Sequence, residues 1–493
     1  MCLLFLRSIT GGIEVPIVSH VTCPVCGSFC DDIEVIVENN VIVDVKNACA
    51  VGAAKFLDYC NRGSEKPLIR KNGKLVEASL DEAIKKSAEI LAGSTYPILY
   101  GWSSTSCEAI RVGIELAEEV GGVIDNTTTI CHGPSILSVQ DVGIPSATLG
   151  QLRHRADLII YWGCNPWSAH PRHVERYTTF SDGRFQKSTW KSYISRLGGA
   201  LSKKRLRRAA NLILRREAQV SPKVSYELPY TMLKKKRKMV VVDIRKTHSA
   251  DAADYFLQVE PNKDYELLQA FRMLVANEEL EVDQVAGVPV ETLEEVTDTM
   301  IGCELGIIFF GQGLTMTPGK LRNIDSAICL VRDLNQYTKF LIMPMRGHFN
   351  VTGANVVSTW QTGYPFAVDF SHGYPLYNPG ETTVIDILCR EETDAGLVIA
   401  SDPVAHFPKK AAQNLVKNPL IVIDPQTTPT SLMADVVFSS AYVGIEAEGT
   451  AYRMDHVPLP LKKIVDPPKS CPTDVEILQR ILQEVRRLKR EPN

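Results

Sequence analysis

The sequence predicts an α/β protein in which doubly wound, Rossmann-like parallel-sheet domains follow an N-terminal cysteine-rich segment. The first observation behind this is a set of short apolar runs that alternate with helical patterns: Pro97–Gly101, Asp157–Gly163, Met239–Asp243, Leu305–Gly311, Lys339–Met345, Gly396–Asp402 and Leu420–Asp424. Continuous apolar runs of this length belong to parallel strands covered on both faces. The second is the spacing Cys23-x2-Cys26-x3-Cys30-x18-Cys49. The third is the absence of any apolar stretch of about 18 residues, so no membrane span is expected.

Four soft thiolates on one short segment suit a structural zinc or an iron–sulfur cubane. A four-cysteine zinc site usually comes as two Cys-x2-Cys knuckles. Here a tight triplet precedes one distant ligand, which favours the cubane. The chain has thirteen cysteines, and this usage fits a reducing, cytoplasmic compartment better than a disulfide scaffold. An opening apolar run broken at Arg7 is too short for a signal peptide.

The net charge of −3 conceals an asymmetry. Residues 184–238 hold 17 Lys/Arg against two acids, Glu217 and Glu227, while the remainder has 37 basic and 55 acidic residues. This block reads as a basic insertion, either a solvated and partly disordered segment or one with a basic amphipathic helix over Ile194–Glu217. No aromatic platform accompanies it, so nucleic-acid binding is not expected.

In chain order, residues 1–66 form the cluster segment. Residues 67–183 and 239–465 form the α/β domains around the 184–238 insertion, and residues 466–493 a C-terminal helix. Ser79 is the expected N-cap of an amphipathic helix from Leu80 to Leu91. Open parallel sheets bind ligands at the carboxyl ends of their strands. Several ends here suit a large phosphate-bearing ligand: Gly163-Cys164-Asn165-Pro166, Asp243-Ile244-Arg245-Lys246-Thr247, Gly311-Gln312-Gly313 and Ser401-Asp402-Pro403. Neither a full Gly-x-Gly-x-x-Gly fingerprint nor a P-loop is present, which makes NAD and ATP poor candidates. A further loaded stretch is Asp125 to Ser135, where Cys131-His132 sits in a Thr/Gly/Pro loop just before a helix. A helix dipole favours a thiolate there, beside a proton carrier.

The motifs Cys23 to Val35, Cys131-His132-Gly133-Pro134-Ser135, Met345-Arg346-Gly347-His348 to Gly353, Thr359 to Pro365 and Glu448 to Asp455 resemble the catalytic B subunit of formylmethanofuran dehydrogenase, in the molybdopterin oxidoreductase superfamily. The resemblance covers about residues 20–183 and 239–465. It implies a tungsten or molybdenum bis(pyranopterin guanine dinucleotide) centre with Cys131 as its protein ligand, besides the [4Fe–4S] cluster on Cys23, Cys26, Cys30 and Cys49. His132 is then the acid/base group and Arg346 the cation that orients a carboxylate. Lys55 matches the lysine between cluster and pterin. Gly163, Asn165, Asp243, Arg245, Thr247, Asp264, Gly311, Gly313 and Asp402 match the pterin-dinucleotide contacts. The implied reaction is reversible reduction of CO2 to formate, which a partner subunit condenses with methanofuran. Implied partners are a small β-barrel subunit, replacing the C-terminal barrel that single-chain relatives carry and this chain lacks, an amidohydrolase subunit, a structural C-type subunit, and ferredoxin or polyferredoxin subunits.

The sequence also weighs three rivals. The corresponding subunit of the methylotroph formyltransferase/hydrolase complex does no redox chemistry and has lost the cluster and metal cysteines, all of which are present here. A stand-alone formate dehydrogenase would carry the barrel. A non-catalytic scaffold leaves the Cys131-His132-Arg346 set without a purpose.

Overall fold

The computed structural model describes residues 6–10, 13–185 and 235–490. The alternative of a helix over 194–217 therefore lies outside the described residues. The chain divides into two compact units, one of residues 1–130 and 346–493 and one of residues 131–345. The α/β region read from the sequence thus contributes to both.

In the first unit the N-terminal strands Leu6–Thr10, Ile13–Val21, Ile33–Glu38 and Val41–Lys46 form an antiparallel sheet in chain order. Alternation buries Ile33 and Val35. A nine-stranded sheet follows. Its parallel centre runs Val123–Asn126, Pro97–Gly101, Ala395–Ile399, Leu420–Ile423, Val436–Phe438. Antiparallel pairs close both edges: Leu376–Tyr377 with Val368–Asp369, and Leu68–Lys71 with Lys74–Glu77. The order reverses between Pro97–Gly101 and Ala395–Ile399, which marks the crevice for a ligand. Every residue of those two strands is buried, so neither alternates with polar residues.

Helices Leu80–Ala92, Cys107–Val120 and Asp474–Arg490 cover one face. Ser79 caps the first as expected, accepting from Glu82 N at 3.1 Å. The last helix buries Ile477, Leu478, Ile481, Leu482 and Val485 in that core. Full burial of such a side chain is worth about 1.5–3 kcal/mol.

The second unit is a five-stranded parallel sheet in the order Tyr255–Gln258, Lys238–Asp243, Leu158–Trp162, Leu305–Phe310, Lys339–Pro344. Its order reverses between Leu158–Trp162 and Leu305–Phe310. Arg237, counted with the basic block in the sequence, is buried. Its guanidinium donates to the carbonyls of Ala156 (2.8 Å), Ser181 (2.7 Å), Thr178 and Arg153. The charge is spent on pinning the chain where it enters the strand. Among the described residues, no helix is long and apolar enough to cross a membrane.

Candidate functional site

The cluster segment is built around sulfur. Cys23 N donates to Cys30 O at 2.8 Å and Phe29 N to Cys26 O at 3.0 Å, folding the triplet into a closed loop. Cys49 caps helix Ala50–Leu57 with its sulfur, which accepts from Gly52 N at 3.4 Å. Gly52 packs close to the sulfurs: a Cβ there would lie 3.2 Å from Cys23 Sγ, a tight contact, and 3.6 Å from Cys49 Sγ. Burial raises the Cys23 thiol well above its ordinary range, and the Cys30, Cys26 and Cys49 charges raise it further. Burial also raises Cys26, against hydrogen bonds from the Ser28 and Phe29 N–H groups and the Ser28 hydroxyl. None of the four cysteines is in a disulfide. Among the described residues, no three His, Cys, Asp or Glu side chains converge on a single-ion site. A cubane requires no such convergence, because each thiolate takes a different iron. Four mutually repelling sulfurs with N–H donors aimed at them fit an electron-poor metal cluster.

The triplet loop is docked on the segment that carries Arg346. Gly27 N donates to Gly347 O at 3.0 Å, and Cys26 bridges His348. A Cβ on Gly27 would lie 2.3 Å from Arg346 O, so this position admits only glycine. Arg346 is 3% exposed. One of its Nη groups donates to Asn355 Oδ1, and Asn355 in turn donates to Thr128 Oγ1 (3.0 Å) and Pro365 O (2.9 Å). Asn355 was not legible as a site residue, because nothing local distinguishes it within helix Val351–Thr362.

At the crevice of the first unit lies a cavity of about 470 Å³, lined among others by Lys55, Ser104, Asp402, Asp424, Gln426 and Tyr442. Lys55 Nζ sits 4.6 Å from the centre of the Tyr442 ring. Burial lowers its ammonium below the ordinary lysine range, while Asp424 and Cys23 act the other way. Burial pushes Asp424 up to about 7, opposed by the Gln426 N–H and the Lys55 charge. Asp402 accepts from Thr430 N at 3.0 Å. Asp424 and Tyr442 escaped the sequence reading, since their roles arise only where distant strand ends meet.

In the second unit Cys131 is half-buried. Gln312 Nε2 donates to its sulfur at 3.3 Å, and Thr315 Oγ1 to its carbonyl at 2.8 Å. His132 is buried, with Nδ1 3.0 Å from Ser135 Oγ and Nε2 3.4 Å from the Met345 carbonyl. A carbonyl only accepts, so Nε2 carries the proton in this arrangement and Nδ1 accepts from the serine. Gln312 lies between two glycines that the sequence had marked, but its side-chain role was not foreseen.

At this unit's crevice the backbone itself closes in. Gly163 has φ +57°, and a Cβ there would lie 2.7 Å from Gly313 Cα; Gly313 N donates to Gly163 O at 2.9 Å. A Cβ on Gly311 would lie 2.6 Å from Cys164 Cβ. Asn165 Oδ1 accepts from Ser249 Oγ at 2.6 Å. Burial raises both Asp243 and Asp264; the Arg245 N–H and charge oppose this at Asp243, and the Trp162 N–H at Asp264. Trp162 Nε1 holds Asp264 Oδ1 at 2.8 Å. Thr247 is spent as a helix cap, accepting from Ala250 N at 3.4 Å, and Arg245 is exposed.

Two doubly wound sheets with ligand-facing strand ends, preceded by four thiols outside any disulfide, are the attributes of a tungsten or molybdenum pterin oxidoreductase. No family model matches the chain. The fold is shared with acetylene hydratase from Pelobacter acetylenicus (TM-score 0.65, 13% identity, 95% of this chain and 69% of that one). It is shared also with a chain of the formyltransferase/hydrolase complex from Methylorubrum extorquens (TM-score 0.63, 18% identity, 86% and 100%). In sequence, the chain is 47% identical to the B subunit of tungsten-containing formylmethanofuran dehydrogenase 2 from Methanocaldococcus jannaschii, over 96% of this chain and 100% of the relative. It is 44% identical to the protein of the same name from Methanococcus maripaludis, over 95% and 99%. The chain belongs to the family of formylmethanofuran dehydrogenase B subunits.

Proposed function

We propose that this chain is the catalytic subunit of a multisubunit formylmethanofuran dehydrogenase and interconverts CO2 and formate, with electrons passing through a [4Fe–4S] cluster on Cys23, Cys26, Cys30 and Cys49. The observation that carries the redox reading is that these four cysteines, and Cys131, stand outside any disulfide with sulfur-directed donors around them. The reduction takes two electrons and one proton: CO2 + 2e⁻ + H⁺ → HCOO⁻. When bound, the metal–pterin centre supplies the two-electron chemistry at carbon. Cys131 holds the metal, and Gln312 donates to its sulfur, which damps the thiolate's charge.

His132 is the proton carrier. Its Ser135 contact fixes the tautomer and leaves Nε2–H on a long bond to a carbonyl that it can exchange for a reacting group. Arg346 presents a planar fork whose orientation Asn355 fixes, as carboxylate recognition requires. Lys55 is the cation between the cluster and the cavity, while Asn165, Asp243, Arg245, Thr247, Asp264 and Asp402, with Gly163, Gly311 and Gly313, bind a pterin guanine dinucleotide. The barrel that closes the cofactor site, the amidohydrolase that condenses formate with methanofuran, a C-type subunit and ferredoxin-like subunits are supplied by partners in the complex.

The reading is tested on the purified complex by metal analysis and by Arg346→Lys. Iron and one equivalent of tungsten or molybdenum are expected. The lysine keeps the charge and loses the fork, so formate turnover should fall about a hundredfold with metal content unchanged. Iron-free protein, or wild-type formate kinetics in the variant, overturns it.

A further inference from the structure

Lys55 lies half-buried at the wall of the first unit's cavity, and among the described residues no carboxylate stands within ion-pair distance of it. What it faces instead is the ring of Tyr442, whose centre is 4.6 Å from Nζ. A second cation reaches the same ring: the guanidinium carbon of Arg62 is 5.5 Å from its centre. That one is already neutralised. Arg62 Nη2 donates to both carboxylate oxygens of Glu446 at 2.5 Å, in a buried pair, and Nη1 donates to Ser440 O at 3.4 Å.

Glu446 also fixes the tyrosine from both ends of its backbone. Its Oε2 accepts from Tyr442 N at 2.9 Å, and its N donates to Tyr442 O at 2.7 Å. Ile445 N and Ala447 N bond the same carbonyl at 3.2 and 3.0 Å. The ring is thus set independently of Lys55, by a locked turn and a neutral ion pair. Burial, then the Asp424 charge, raises the phenol above its ordinary range, so it stays protonated and the ring carries no charge of its own.

An aromatic face attracts an ammonium through its quadrupole. Unlike a carboxylate, it does so without cancelling the ammonium's charge. It also restrains a four-carbon side chain that would otherwise sample many rotamers. Iron–sulfur potentials respond to the net charge around the cluster, so a cation that is both held and unneutralised has a use here. We propose that Tyr442 is the positioning residue for Lys55: its ring, set by Glu446 and Arg62, keeps a full positive charge fixed between the cysteine segment and the cavity. This rests on the reading of the four cysteines and of Lys55 given above, and it adds to that lysine a residue from the far end of the chain.

The test is an EPR-monitored redox titration of the cluster in the intact purified complex. Tyr442→Phe keeps the aromatic face. Pentafluorophenylalanine at position 442 keeps the ring's shape and reverses the sign of its quadrupole. The midpoint potential should stay at the wild-type value in Tyr442→Phe. With the fluorinated ring it should fall, in the same direction as in Lys55→Met and by less. In the Lys55→Met background the fluorinated ring should add no further shift. An unchanged potential with the fluorinated ring overturns the proposal, and a melting temperature lowered at the same time marks Tyr442 as a packing residue. A shift of equal size with and without Lys55 also overturns it, because the ring then acts on the cluster directly. Lys55→Met separates the two levels. If it leaves the potential unmoved, the reading of Lys55 has failed, and the role of Tyr442 with it. If it lowers the potential while the fluorinated ring does not, only the role of Tyr442 has failed.

Discussion

The two crevices solve the same topological problem with different materials. In the second unit, the ends of Leu158–Trp162 and Leu305–Phe310 meet as bare backbone: Gly163 and Gly313 touch with no room for a Cβ on either. In the first unit, the ends of Pro97–Gly101 and Ala395–Ile399 open on a cavity walled by ionisable side chains, Lys55, Asp402, Asp424 and Asp474 among them. Backbone amides offer fixed dipoles that need no counter-ion and do not titrate. Side chains offer charges whose value burial can tune. The first crevice also adjoins the cysteine segment through Lys55, whose ammonium is within electrostatic reach of Cys23. Positioning and tuning are thus divided between the units.

The largest expected effect breaks the backbone crevice. Gly163→Ala forces a Cβ to 2.7 Å from Gly313 Cα in a left-handed conformation. Strain and overlap together should cost about 2–5 kcal/mol. The expected outcome is loss of tungsten or molybdenum from the purified complex with iron retained, read by elemental analysis. If iron is lost in parallel, the division of labour between the crevices is wrong.

A smaller effect is expected from tuning the other crevice. Lys55→Met keeps most of the stem and removes the charge, so the cofactor should stay. A positive charge near a cluster favours its reduction. At an effective dielectric of about 20, a pair some 8 Å apart is worth about 2 kcal/mol, so the cluster potential should fall by about 50–100 mV. Asp424→Asn should move it the other way. An EPR-monitored redox titration of the two variants reads both signs, and matching shifts would show that the pair does not act through charge.

The contrast also explains what was legible in the sequence. All seven expected strands are present, because each is a continuous apolar run with a turn after it. Val123–Asn126, Tyr255–Gln258 and Val436–Phe438 were missed: three or four residues among polar neighbours carry no period. The glycines of the second crevice could be read because backbone approach demands glycine at a strand end. The cysteine loop was visible from its spacing alone. By contrast, the contact of Gly27 with Arg346, the clamp of Asn355 on that arginine and the seat of Lys55 over the Tyr442 ring join residues that no local pattern links. Arg237 shows the opposite error. Charge counting assigned it to the basic block, whereas its burial among four carbonyl groups makes it part of the sheet's entry.

The smallest effect tests whether the first unit's tuned carboxyl groups cost it stability. Asp125, at the end of Val123–Asn126, is fully interior, and its oxygens accept from Asn126 N (2.8 Å), Ala367 N (3.1 Å), Val384 N (3.0 Å) and Thr129 Oγ1 (2.7 Å). It ties the turn that leads to Cys131 to two other segments. Burial outweighs these donors and pushes the carboxyl up to about 7. A raised pKa means that between roughly pH 4 and 7 the unfolded chain gives up a proton that the folded chain keeps. The contribution to stability is therefore full below pH 4 and is lost as pH rises towards 7, by at most about 1.4 kcal/mol per unit. Asp125→Asn removes that titration but turns an NH2 group towards backbone donors, so it should be destabilising at every pH. The penalty should be largest near pH 5 and shrink towards pH 8. Paired melting temperatures of wild type and variant across that range measure it. A penalty that grows with pH would show that the carboxylate is held charged, and that the four donors rather than burial set its state.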